Sequence, residues 1–171
     1  MIRAVLAVAT AVALLAVAGP ALADARVDTT ADRIATAGER LDRAAADLAA
    51  SSTAVRPGEP PARRTVRLRL PEGFAAASVG FVGIGPPAAL RDAGDGPTDR
   101  GDGGGPTPAD DAARTAFGYR IRGGPLRTVP LSNVATTDGS VLRVDPGNSR
   151  VRLRYVRIEG TPSVVASRPD A

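Results

Sequence analysis

The side chains that could do chemistry in this 171-residue chain are carboxylates, hydroxyls and arginine. The sequence contains no His, no Cys and no Lys. The nitrogen and sulfur ligands of zinc sites are therefore missing. So are a thiol nucleophile, a disulfide framework, the Ser-His-Asp arrangement and Schiff-base chemistry. Carboxylates crowd most closely at Asp92, Asp95, Asp99, Asp102, Asp110 and Asp111, in a run rich in Gly and Pro. Calcium takes such hard oxygen ligands, but the spacing fits neither an EF-hand loop nor a glycine–aspartate nonapeptide repeat. Arg100-Gly101-Asp102 matches an integrin-binding tripeptide, yet in such a run a solvated linker is the better reading. Glu72 and Glu159 sit near turns, and Asp110 and Asp111 are adjacent in sequence and point apart. A glycosidase-like pair would need a cleft that gathers two carboxylates, and no strand or loop context suggests one. The expectation is a protein that is not an enzyme, with no catalytic, cofactor-binding or metal-binding residues and no cofactor.

Arginine carries the more regular pattern. Arg67, Arg69, Arg120, Arg122, Arg150, Arg152 and Arg154 occupy alternate positions in segments that read as strands. If those strands are neighbours, the arginines cover one sheet face, able to attract an anionic surface such as lipid head groups or acidic cell-surface polymers. Nucleic acid is not expected, because no aromatic residue is placed to stack on bases. The chain has a formal net charge of +4, and residues 91–111 oppose it with six aspartates against two arginines.

The elements that must position these residues follow from hydrophobic periodicity. Thr65-Val66-Arg67-Leu68-Arg69-Leu70 alternates with period two, the mark of a half-buried strand. Ser78 to Ile84 forms a second strand, Thr115 to Ile121 a third, and Gly123-Gly124 turns the third into Leu126 to Leu131. Pro125 and Pro130 place that returning arm on a sheet edge. Val141 to Val144, then Asp145-Pro146-Gly147-Asn148 as a turn, lead to Arg150–Glu159, the longest strand. Its apolar residues switch phase between Tyr155 and Val156, which predicts a bulge or a change of buried face. Ser163 to Ser167 supplies the last strand. Residues 85–112 have no hydrophobic period and are expected to form a disordered Gly/Asp/Pro loop between strands.

Ahead of the strands lies a different pattern. Arg3 opens an apolar run from Ala4 that Gly19-Pro20 interrupts, and Ala21-Leu22-Ala23 fits a secretory cleavage site. Within the same 1–23 segment, Ala4 to Ala23 is about 30 Å long as a helix, just enough to cross a bilayer's hydrocarbon core as a transmembrane helix. Signal peptide or anchor, either reading puts the remainder outside the cytoplasm, at the cell membrane or secreted. Residues 24–52 predict an amphipathic helix, rich in alanine. Val27, Ile34, Leu41 and Leu48 step along it at heptad spacing, with Thr30, Ala37, Ala44 and Ser51 as small companions. That stripe suits either the helix's own sheet or protein partners. Glu39 and Arg43 are spaced for an ion pair on the exposed side. Residues 53–64 form a Pro-rich linker, and 65–168 an antiparallel β-domain. The fold class expected is α+β: an N-terminal hydrophobic segment and a long amphipathic helix, then an antiparallel β-sheet or small sandwich.

The apolar segment broken at Pro20, the heptad helix, and Val55-Arg56-Pro57-Gly58-Glu59-Pro60-Pro61-Ala62-Arg63-Arg64 leading into Val66-Arg67-Leu68-Arg69-Leu70-Pro71 together carry a resemblance. This layout resembles a group of small uncharacterised exported proteins of haloarchaea, an archaeal protein group whose members are associated with type IV pilus-like or type II secretion-like machinery. It is also similar to pilins and pseudopilins, whose hydrophobic helix continues into an amphipathic one bearing a β-domain. The resemblance implies a pilin-like architecture and an extracellular setting, with no functional residues to carry over. The function expected is a non-enzymatic exported or membrane-anchored component of a cell-surface assembly. The alternative is a secreted binding module that uses its arginine-rich sheet face on an anionic surface polymer.

Overall fold

The computed structural model describes residues 2–56, 58–73, 76–94, 115–121, 123–136 and 139–169. Helix α1 runs unbroken over Ile2–Ser51, so the apolar segment and the amphipathic helix are one rod of 50 residues. Pro20 lies inside it; proline cannot donate to the helical ladder, but the helix continues past it. At the other end the Ser51 hydroxyl donates to the Asp47 carbonyl at 2.6 Å, covering one of the carbonyls that a helix terminus leaves open.

Among the described residues, eight strands follow: β1 (Ala62–Leu70), β2 (Val79–Gly85), β3 (Thr115–Ile121), β4 (Leu126–Leu131), β5 (Val134–Thr136), β6 (Leu142–Arg143), β7 (Gly147–Ile158) and β8 (Thr161–Ser167). They form two four-stranded sheets, in the orders β1-β7-β8-β5 and β4-β3-β2-β6. The α+β class holds. Every named pairing is antiparallel except β5 with β8, which is parallel from Val134↔Val164. As the prolines require, β4 is an edge strand.

The core draws on both sheets and on α1. Leu68 and Leu70 of β1, Val151 and Leu153 of β7, and Val164 and Ala166 of β8 come from the first sheet. Val82 and Ile84 of β2 with Phe117, Tyr119 and Ile121 of β3 come from the second. Between them stand Ala31, Ile34, Ala37, Leu41, Ala44, Ala45 and Leu48 of α1. The heptad stripe is thus core: Ile34 and Leu41 are 0% exposed and Leu48 7%, with Val27 half-buried at the entry. Its use by protein partners is corrected accordingly, since the chain's own sheets occupy it. Glu39 and Arg43 are exposed and do not close the expected ion pair.

Two close approaches fix how the layers fit. Gly38 faces Phe117, the largest fully buried side chain, and a Cβ there would stand 3.1 Å from the ring edge. On the outer face of the second sheet, Gly83 and Gly118 are register partners. The fully buried Leu90 lies over that pair, 3.0 Å from where a Gly118 Cβ would be. Leu90 belongs to a short helix, α2 (Pro87–Gly94), in a stretch expected to be loop. Pro87 suits a first helical turn, where its missing N–H costs nothing, and Leu90 N–H donates to the Pro86 carbonyl at 2.9 Å. The rest of the acidic run, 95–114, lies outside the described residues.

Three polar ties hold α1 in place. Ala77 N–H donates to the buried Thr30 hydroxyl at 3.0 Å. Ser132 and Asn133 N–H both donate to Asp42, at 2.9 and 3.2 Å, so one carboxylate closes the β4–β5 turn. Arg64 reaches Asp47 at 3.3 Å in an exposed ion pair. The segment expected as a linker is also engaged: Arg157 N–H donates to the Val55 carbonyl at 2.8 Å, beside the parallel bridge Val55↔Val156. No bulge interrupts β7, which keeps one register with β8 from Arg152↔Ser167 to Ile158↔Thr161. The phase change instead leaves Ile158 exposed, and β7 passes to β8 through Glu159 and Gly160, both at positive φ as a two-residue hairpin turn demands.

The Gly38–Phe117 contact is testable. Gly38→Leu forces a side chain into a filled space, and we expect a loss of about 1–3 kcal/mol in urea unfolding of the full chain in detergent micelles.

Candidate functional site

The arginine pattern sorts by sheet. In the first sheet, β1 and β7 pair so that Arg67 lies opposite Arg150, Arg69 opposite Asn148, Thr65 opposite Arg152, and Arg63 opposite Arg154. Side chains alternate across a strand, so all of these project from one face, while Val66, Leu68, Val151 and Leu153 project to the core. Five of the seven expected residues, Arg67, Arg69, Arg150, Arg152 and Arg154, are therefore brought together, and Arg63 joins them. Arg120 is not among them. It lies on β3 of the second sheet, opposite Phe81, on the side that α2 covers. Arg122 lies outside the described residues. The alternation was legible locally, but which strands share a sheet depends on long-range pairing.

The same face deepens into a groove of about 870 Å³ where β6 turns into β7 and β8 ends. Arg67, Arg69 and Arg150 line it together with Arg143, Arg168 and Asp145. An Arg168 guanidinium nitrogen donates to the Arg143 carbonyl at 3.5 Å, which brings the chain past β8 to the groove. Arg143 is itself held outward: it donates to the Ala93 carbonyl at 3.2 Å and stands 5.7 Å from the centre of the Phe81 ring. Arg67, Arg69 and Arg150 are not in the ion pair found among the described residues, which joins Arg64 to Asp47. Sequence reasoning missed Arg143 and Arg168, because β6 is only two residues long and Arg168 follows the end of β8; only the end-on meeting of β6, β7 and β8 brings them in.

Directly opposed like charges destabilise a sheet, by roughly 0.2–1 kcal/mol per pair. Arg67↔Arg150 and Arg63↔Arg154 are two such pairs on one ladder. The face is thus built at a cost that a bound anion would offset.

The carboxylates show no comparable convergence. Glu72 follows the end of β1, where its carboxylate lies against Gly147 at the start of β7. Glu159 follows the far end of β7. About 12 residues of strand separate them, roughly 40 Å, whereas paired carboxylates in glycosidases stand about 5–9.5 Å apart. Asp110 and Asp111 lie outside the described residues. Among the described residues no three acidic side chains gather as metal ligands.

Fold and groove together define a two-sheet α+β domain built onto the second half of a long helix, with an arginine groove on one sheet. The chain belongs to the family described as "Domain of unknown function (DUF7311)", whose model matches residues 1–169. No curated protein and no solved structure matches it.

The cost of the opposed pair can be measured. Arg67→Glu turns Arg67↔Arg150 into an opposite-charge pair, and at low salt it should raise unfolding stability by roughly 0.5–1 kcal/mol. The double variant Arg67→Glu/Arg150→Glu should return to near the parent value, and added salt should shrink both differences.

Proposed function

We propose that the protein is a non-enzymatic, membrane-anchored component of a cell-surface assembly, accessory or structural in role. It carries its β-domain outside the cytoplasm on a helical stalk. The assembly envisaged is pilus-like or secretion-like, in keeping with the layout of the chain. One observation supports the reading above others: α1 changes surroundings along its length. Every described side chain from Ala7 to Ala25 is exposed, including Val8, Val12, Leu14 and Leu22, each more than half exposed. From Thr30 to Leu48 the same helix is core. A row of large apolar side chains that the protein's own domain leaves uncovered is costly in water, at about 25 cal/mol per Å², and favourable in hydrocarbon.

The first half of α1 is long and apolar enough to cross a membrane, and a signal sequence meets the same description. Retention makes the helix an anchor, whereas cleavage after Ala23 would release the domain. Arg3 on the short leading side favours that end staying cytoplasmic. With Ala4 to Ala23 retained, the continuous helix holds the β-domain above the membrane surface.

Cell fractionation with mass measurement of the N-terminus tests the proposal. The expected result is a chain in the membrane fraction that high salt does not release and detergent does, with residues 1–23 still attached. A soluble cytoplasmic protein with an intact N-terminus would sink the proposal.

A further inference from the structure

The arginine groove lies at a definite height along α1. Ala77, in the β1–β2 connection, bonds Thr30, whereas Arg64, near the start of β1, bonds Asp47. Strand β1 therefore descends alongside the helix toward its apolar half, and the Leu70↔Gly147 rung is the end nearest that half. Arg69 and Asn148 occupy the next rung, and Arg67 and Arg150 lie two rungs farther up. From Ala23, where the apolar run ends, to Thr30 is about 10 Å of helix, and to Asp47 about 36 Å. The Leu70↔Gly147 rung thus stands roughly one Debye length, about 8–10 Å, from the point where the helix would leave the bilayer, and the Arg67↔Arg150 rung, about 10 Å of strand farther up, roughly two. The Arg63↔Arg154 end stands several such lengths away.

We infer that this groove takes the phosphate of anionic lipid head groups in the membrane that α1 spans, docking the β-domain on the bilayer in one orientation. The inference rests on the membrane-anchor reading above. Arginine suits the task because its planar guanidinium donates two parallel hydrogen bonds to phosphate oxygens and stays charged at any physiological pH. Arg67, Arg69 and Arg150 supply three such groups lining one groove, and Arg168 adds a fourth. Among the described residues, the opposing charges are Asp145, which lines the groove, and Glu72, whose carboxylate packs against Gly147. The opposed Arg67↔Arg150 pair, unfavourable alone, becomes a two-sided clamp once a phosphate lies between the guanidinium groups. Charge on a membrane surface falls off within a Debye length, which is why the end of the face nearest the membrane, and not the far end, is the one in reach.

The absence of cysteine from the chain makes a single reporter simple to place. Pro146→Cys, in the turn beside the groove, is labelled with a fluorophore, and the full chain is reconstituted into vesicles that carry a head-group-attached nitroxide lipid as quencher. Vesicles of phosphatidylcholine alone are compared with vesicles enriched in phosphatidylglycerol. With about 1 kcal/mol per arginine at an anionic surface, three arginines should raise the ratio of docked to undocked domain on the order of 10²-fold. Quenching should rise with phosphatidylglycerol and fall again with salt. Arg67→Gln/Arg69→Gln/Arg150→Gln should abolish the rise, and Arg63→Gln/Arg154→Gln, on the same face but at its far end, should leave it intact. Equal quenching in both lipids, or equal loss from both sets of variants, would overturn the inference. So would dextran sulfate occupying the groove when anionic vesicles do not, which would mark an acidic polymer as the ligand. Inorganic phosphate that suppresses the rise as effectively as salt-matched chloride fails to do would point to free phosphate and likewise overturn it. A chain that does not float with vesicles of either kind defeats the anchor reading itself, a result distinct from a chain that floats but does not dock.

Discussion

Both sheets fold onto one row of side chains, Ile34, Leu41 and Leu48 of α1, and the rest of the domain depends on that burial. Aromatic residues are scarce, with three Phe, two Tyr and no Trp, so the interior must be closed by aliphatic side chains at short range. Small residues on the helix make this possible. Ala31, Ala37, Ala44 and Ala45 let strands approach the helix backbone, and Gly38 opens the notch that Phe117 fills. Because packing density rather than side-chain bulk supplies the contacts, the domain has little tolerance for added volume on this stripe. A second, smaller notch repeats the device on the outer face, where Gly83 and Gly118 admit Leu90.

One helix that is core at one end and uncovered at the other couples two environments mechanically. The ties from Thr30, Asp42 and Asp47 to the strand connections and to β1 span the buried half of the rod. On the proposed anchor reading, a tilt of the apolar half in a bilayer is thereby passed to the sheets, and a force on the sheets to the apolar half. The arginine groove gains its proposed meaning from this geometry, because a fixed height above the point of membrane exit decides which arginines a charged surface can reach.

The two periodicities of the chain made much of the architecture legible. The heptad spacing marked the helix and its buried stripe, and period-two alternation located β1, β2, β3, β7 and β8 to within a few residues. The stripe's partner was not legible, because heptad spacing says which side is buried and not against what. The short α2 was missed, since eight residues hold too few apolar positions to show a period and Leu90 alone carries the burial. Strand β5 was missed because Val134–Thr136 is too short to alternate, and its parallel pairing with β8 is a long-range event. At β7 the phase change predicts a bulge or a change of buried face; no bulge forms, and the strand outruns its cover and leaves Ile158 in the open. For the groove, five arginines of its face could be named from alternation, but Arg143 and Arg168 could not, since their place depends on where strands end.

The central claim is that the heptad half of α1 is the interior of its own β-domain. Hydrogen exchange of the full chain in detergent micelles tests it most directly. The account predicts that amides from Thr30 to Leu48 exchange only through global unfolding, with the same protection as the central strand β7. Exchange in that stretch that is faster than in β7, with the strands still protected, would show a helix that leaves its sheets and would contradict the account.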